Sequence, residues 1–152
     1  MKLSNNFSLS ELTKSQTAER LDIDNSPSED YIKSLTSLCE NILQRVRDHY
    51  GVPFIVNSGY RSEALCEAIG SKKTSQHALG QAADFEVPNV SNYELAFWIS
   101  ENLDFDQLIL ECYKSGDPSS GWVHCSYRDD GENRGEVLTY QKGQGYSYGL
   151  TE

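Results

Sequence analysis

His77 and Asp84 lie in the run Ser75-Gln76-His77-Ala78-Leu79-Gly80-Gln81-Ala82-Ala83-Asp84, and a further imidazole stands in Trp122-Val123-His124. Two neutral imidazoles and one carboxylate form the donor set of a catalytic zinc ion, with three protein ligands and a fourth tetrahedral position left to water. A fold that uses them together must bring two distant segments to one point. The chain has 3 histidines, and the remaining one, His49, precedes a glycine at the end of a predicted helix, where a cation complements the helix dipole.

The residues around these ligands carry a resemblance. The pattern S-x-H-x-x-G-x-A-x-D from Ser75 to Asp84, preceded by Ser58-Gly59-Tyr60-Arg61-Ser62 and followed by W-x-H from Trp122 to His124, resembles the zinc D-Ala-D-Ala carboxypeptidase family and its relatives among phage endolysins. The hedgehog signalling domain is similar in metal-site layout. The resemblance runs over roughly residues 7 to 127 and includes Phe7-Ser8-Leu9-Ser10-Glu11-Leu12. It implies zinc bound by His77, Asp84 and His124, and peptidoglycan stem peptides as substrate.

The composition suits one folded domain spanning 1–152, with 38% hydrophobic and 24% charged residues. A formal net charge of -10 excludes the basic footprint that nucleic acid requires. No N-terminal run has the make-up of a secretory signal, and no apolar run is long enough to enter a membrane. The expectation is therefore synthesis in the cytoplasm and, for an endolysin, action at the cell wall after release. A monomer is favoured. Cys39, Cys66, Cys112 and Cys125 form no C-x-x-C pair and sit in apolar or periodic segments, which predicts reduced thiols.

Periodicity predicts an α+β fold: a small antiparallel sheet carries the zinc ligands and helices pack on one side. Ser8 to Glu11 and Ser91 to Glu94 read as capping boxes that start helices. Ser26-Pro27-Ser28-Glu29 predicts an N-cap at Ser26 and a long core helix from Pro27 to Tyr50, in which Tyr31, Leu35, Leu38, Ile42 and Val46 share one face. Pro53 to Val56 reads as a short strand, Ser62 to Ile69 as a helix, Ala82 to Val87 as a strand, and Glu136 to Tyr140 as an edge strand followed by a Gly/Tyr-rich tail. Phe105 to Cys112 and Gly121 to Tyr127 predict an antiparallel pair. A turn symmetric about Asp117-Pro118 would set Glu111 directly across from His124.

Peptide hydrolysis needs a base as well as a metal, and Glu111 is the candidate. In the carboxypeptidase family an acid commonly stands three positions before the last histidine, where this chain has Gly121. The hedgehog layout, with the acid at the end of the preceding strand, is similar to Ile109-Leu110-Glu111. Asp117 in the turn is the fallback. Arg61 resembles the family's arginine that clamps a substrate carboxylate or steadies an oxyanion, a task for a planar, permanently charged fork; its plain alternative is a surface arginine paired with Glu63 or Glu67. Ser75 is either a substrate neighbour or a loop hydroxyl bonded to backbone, and Trp122 is either a substrate contact or packing. The family's usual histidine two residues before the last ligand is replaced by Trp122. The opposing reading of the whole pattern is a non-catalytic, zinc-stabilised binding or virion module.

Overall fold

The computed structural model describes residues 1–152. Six strands form one sheet in the order β1 (Val56–Ser58), β2 (Ala82–Phe85), β4 (Trp122–Ser126), β3 (Gln107–Glu111), β5 (Glu136–Gln141) and β6 (Gly145–Tyr148). All pairings are antiparallel except β3 with β5, so the expected α+β class stands with one parallel pair added.

Strand alternation gives the sheet two unlike faces. Ala83, Phe85, Leu108, Leu110, Val123 and Cys125 are all fully buried and join one core with the helices. The long helical run supplies most of that cover: α3 (Glu29–Leu38) continues through a π-helical turn (Cys39–Leu43) into α4 (Gln44–Tyr50) and stops at Gly51. Leu35, Leu38, Ile42 and Val46 are fully buried, as their spacing predicts. In the π-turn the Gln44 N–H reaches back to the Cys39 carbonyl, a register change that keeps Cys39, Ile42 and Leu43 all inward. The sixth helix, α6 (Asn92–Asn102), adds Leu95, Ala96 and Ile99. His49 stacks on Trp98 with ring centroids 4.1 Å apart and is not part of the cluster formed by the other two imidazoles.

Several boundaries differ from expectation for identifiable reasons. The N-cap of α3 is Ser28, whose hydroxyl accepts from the Tyr31 N–H, and Ser26 lies ahead of it in a local turn where its N–H donates to Asp24 Oδ1. Strand β1 begins at Val56, where pairing with Phe85 of β2 starts; Pro53 and Phe54 precede it and Phe54 anchors the core instead. Ser8 and Glu11 complete a capping box on α1 (Leu9–Thr13), whereas Ser91 supplies only its own hydroxyl to the Glu94 N–H. The segment expected as an edge strand is internal. Backbone bonds from Gly135 to Phe105 and from Glu136 to Asp106 lay β5 alongside β3, and the Gly/Tyr-rich tail becomes β6, the true edge. None of the four cysteines is disulfide-bonded, and no helix is long and apolar enough to cross a membrane.

Candidate metal and catalytic site

The other face of the sheet is built from residues that the pairing places in two adjacent rows. Ser58, Asp84, His124, Ile109, Leu138 and Tyr148 form one row across β1, β2, β4, β3, β5 and β6. Trp122, Glu111, Tyr140 and Tyr146 form the next. His77 reaches the first row from a 3-10 turn (Gln76–Leu79) that enters β2 through Gly80. Gly80 has φ 72°, and a side chain there would meet the Tyr31 carbonyl at 2.7 Å, so the turn closes only with glycine.

His77, Asp84 and His124 converge until one donor atom from each lies within 4.8 Å of the others. His77 Nε2 is 3.4 Å from Asp84 Oδ2, and His124 Nδ1 is 2.9 Å from Asp84 Oδ1. Nδ1 of His77 stands 2.7 Å from the Gly59 carbonyl, which can only accept. Nδ1 therefore carries a proton and Nε2 is the nitrogen turned to the cluster, the arrangement by which a carbonyl behind a histidine orients it for a metal. Cys125, next to His124, is wholly buried on the opposite face and adds no thiolate. Imidazole, imidazole and carboxylate without thiolate fit a catalytic zinc better than a closed structural one.

Asp84 is almost buried, which works against its charge, yet hydrogen bonds from His124 and His77 and the field of the two rings hold its carboxyl well below the usual carboxylate range. Arg61 Nη2 lies 3.5 Å from Asp84 Oδ2, and Arg61 Nε donates to Ser58 Oγ at 2.9 Å. Arg61 thus faces the cluster rather than Glu63 or Glu67. Its loop is held by groups that the sequence did not advertise. Asn25 donates to the Thr13 and Tyr60 carbonyls and accepts from the Ser62 N–H, while the Arg61 N–H donates to the His77 carbonyl.

Glu111 lies on the same face but not where symmetry of the turn puts it. It pairs with Trp122, and Ile109 is the residue across from His124. The turn closes earlier than expected: the Asp117 N–H donates to the Lys114 carbonyl around Gly116 at φ 83°, and Pro118 falls in a second turn closed by Ser120. Glu111 is consequently diagonal to His124, a separation of about 7–8 Å between backbones that long side chains bridge. Trp122 has a definite partner here, since its indole N–H donates to Glu111 Oε2 at 2.9 Å. Burial, followed by the charge of Asp84, raises the Glu111 carboxyl above its ordinary value, with His124 and the Trp122 bond acting the other way. At Gly121 a Cβ would collide with the Glu111 carbonyl oxygen, and φ is 68°. An acid three positions before His124 is sterically excluded in this chain.

Ser75 caps the 3-10 turn, its hydroxyl accepting from the His77 N–H at 3.2 Å, and it also lines the cavity. Asp117 lies out in the exposed turn, bonded to Ser119. Arg61, His77, Asp84, Glu111, Trp122 and His124 all border one open cavity of about 530 Å³. Gln76, beside His77, donates to the buried Asp106, which also takes two bonds from the Arg134 guanidinium. Asp106, Arg134 and Asn25 escaped sequence reading because their partners are far away along the chain. Tyr146 also borders the cavity and was missed, although its alternation with Tyr148 marks a one-faced strand.

A protein-family model described as Peptidase M15 matches residues 5–126. No curated protein matches.

Proposed function

The chain belongs to the peptidase M15 family, a family of zinc-dependent metallopeptidases, and from that premise we propose that it cleaves peptidoglycan stem peptides as a D,D-carboxypeptidase or endopeptidase of the phage endolysin kind. Residues 1–152 act as one catalytic domain, at the cell wall after release from the cytoplasm. The observation that carries the reading is the meeting of His77, Asp84 and His124 in one cavity with Glu111 on the same sheet face.

His77 through Nε2, Asp84, and His124 through the nitrogen turned toward Asp84 would hold the ion. When bound, zinc lowers the pKa of a water molecule to about 7 and polarises a carbonyl. Glu111 takes the proton of the attacking water on a carboxylate oxygen. As the new C–O bond forms and the peptide C–N bond breaks, it returns that proton to the departing amine. A carboxyl raised above its ordinary value suits both halves of the exchange. Trp122 holds Oε2 and leaves Oε1 for the proton, so it is a positioning residue as well as a cavity wall. Arg61 offers fixed positive charge to the substrate carboxylate or the developing oxyanion, with more of that task to bear because Trp122 stands where the family tends to carry another histidine.

Purified peptidoglycan incubated with the zinc-loaded protein should release free amines and lose that release with a chelator. Bound zinc without hydrolysis of any defined muropeptide would support the non-catalytic module instead.

A further inference from the structure

Residues beyond the family match continue the sheet past the site: β5 and β6 lie at 136–148, and the match ends at 126. This hairpin has a surface that the metal cluster does not account for. Tyr146 borders the catalytic cavity, and it also borders a second hollow of about 360 Å³ floored by Ile109 and Leu138 and walled by Tyr148, Gln107 and Glu136. Gln107, Ile109 and Tyr146 belong to both, so the two hollows are parts of one cleft.

The strand register gives the cleft its shape. Tyr146 pairs with Tyr140, which pairs with Glu111, and the Tyr140 ring backs Tyr146 at 4.7 Å between centroids. Tyr148 pairs with Leu138 on the floor. Tyr146 and Tyr148 are 61% and 87% exposed, on an edge strand where charge or proline would be the usual protection. Two exposed aromatic residues beside an apolar floor form a surface suited to covering. The ends of the cleft differ in charge. Arg61 and Lys72 border the catalytic cavity beside the cluster's Asp84 and Glu111, while the hollow carries Glu136, to which Gln107 donates at 2.7 Å and which Arg134 approaches to 3.9 Å.

We propose that the β5–β6 hairpin is a substrate-binding element. It takes the stretch of stem peptide that runs from the scissile bond away from Arg61, and so selects peptides longer than a dipeptide. The inference rests on the peptidase reading of the adjoining site. Aliphatic side chains of such a peptide lie on Ile109, Leu138 and the tyrosine rings, its backbone groups meet Gln107, and an amine on its side chain faces Glu136. The cationic end of the cleft receives the carboxylate end.

The test is calorimetric binding of two probes, D-Ala-D-Ala and a stem pentapeptide with a free side-chain amine, to zinc-loaded Glu111→Gln protein with and without Tyr148→Ala. Tyr148 lies outside the core, so the substitution leaves folding intact, and Tyr148→Phe serves as the conservative control. Pentapeptide binding should weaken about tenfold, equivalent to about 1.4 kcal/mol, in Tyr148→Ala, while the dipeptide stays within about twofold and Tyr148→Phe restores most of the loss. Equal losses for both probes, no loss for either, or no binding of the pentapeptide would overturn the proposal. Hydrolysis by the wild-type protein separates the two ideas: cleavage without a length-dependent Tyr148 effect sinks the hairpin's role alone, and length-dependent binding without cleavage sinks the peptidase reading alone.

Discussion

The two faces of the sheet alternate residue by residue and yet are held by different forces. On β3, Leu108 and Leu110 are fully buried beneath the helices, where non-directional apolar burial holds them; Glu111 next to them is fixed by one directed bond from Trp122. On β4, Val123 and Cys125 face the core and His124 faces Asp84. The core face therefore tolerates exchange of similar volumes, whereas the site face depends on particular atoms at particular distances. Neighbouring substitutions should separate stability from chemistry.

The largest effect is expected at the ligands. His77→Ala and His124→Ala should each lose bound zinc and reduce hydrolysis to background, as a chelator does to the wild type, while circular dichroism stays native. If each variant kept a full equivalent of zinc by elemental analysis, the ligand assignment would fall.

Glu111→Gln comes next. It should keep its zinc and its melting temperature and lose about 100- to 10,000-fold in kcat, the usual contribution of a positioned base. Asp117→Asn, in the exposed turn, should change little. The reverse result, with Asp117 essential and Glu111 dispensable, would move the base into the turn.

One position back, the expectation inverts. Leu110→Ala should cost about 2–5 kcal/mol of stability, read from the urea midpoint, while folded molecules keep near wild-type kcat. A variant of unchanged stability but lost activity would erase the distinction between the faces.

That distinction was legible in the sequence wherever one residue's pattern decided the outcome. Period-2 alternation in a strand puts His124 and Cys125, like Glu111 and Leu110, on opposite faces, and the helical period of Leu35, Leu38, Ile42 and Val46 marks the core. The resemblance picked out the three residues that converge. Register was less legible, because it turns on where the hairpin closes. Gly116 with positive φ closes it before Pro118 does, and that moved Glu111 from opposite His124 to the diagonal. Placement of β5 was not legible at all. A parallel pair needs a crossover, and the tie that fixes it joins Asp106 to Arg134 across a loop with no periodicity.

That tie supplies the smallest expected effect and a third kind of region, an ion pair with a buried carboxylate that belongs to neither face. Burial opposes the charge of Asp106, but hydrogen bonds from Arg134 and Gln76 prevail and hold its carboxyl below the usual value. Its partner guanidinium is half-exposed and screened, so Asp106→Asn should cost about 1.5 kcal/mol at pH 7, the low end for a hydrogen bond to a charged group. A carboxyl depressed in the folded state contributes fully above its unfolded pKa of about 3.9 and loses that contribution as pH falls toward the folded value. Urea titrations from pH 7 downward should therefore show the wild-type advantage constant to about pH 5 and shrinking below about pH 4. Because Gln76 precedes His77, zinc affinity should weaken in the same variant at pH 7 even though no ligand has been touched. A stability gap that did not narrow in acid would mean that Asp106 acts through shape alone, and unchanged zinc affinity would detach the tie from the site.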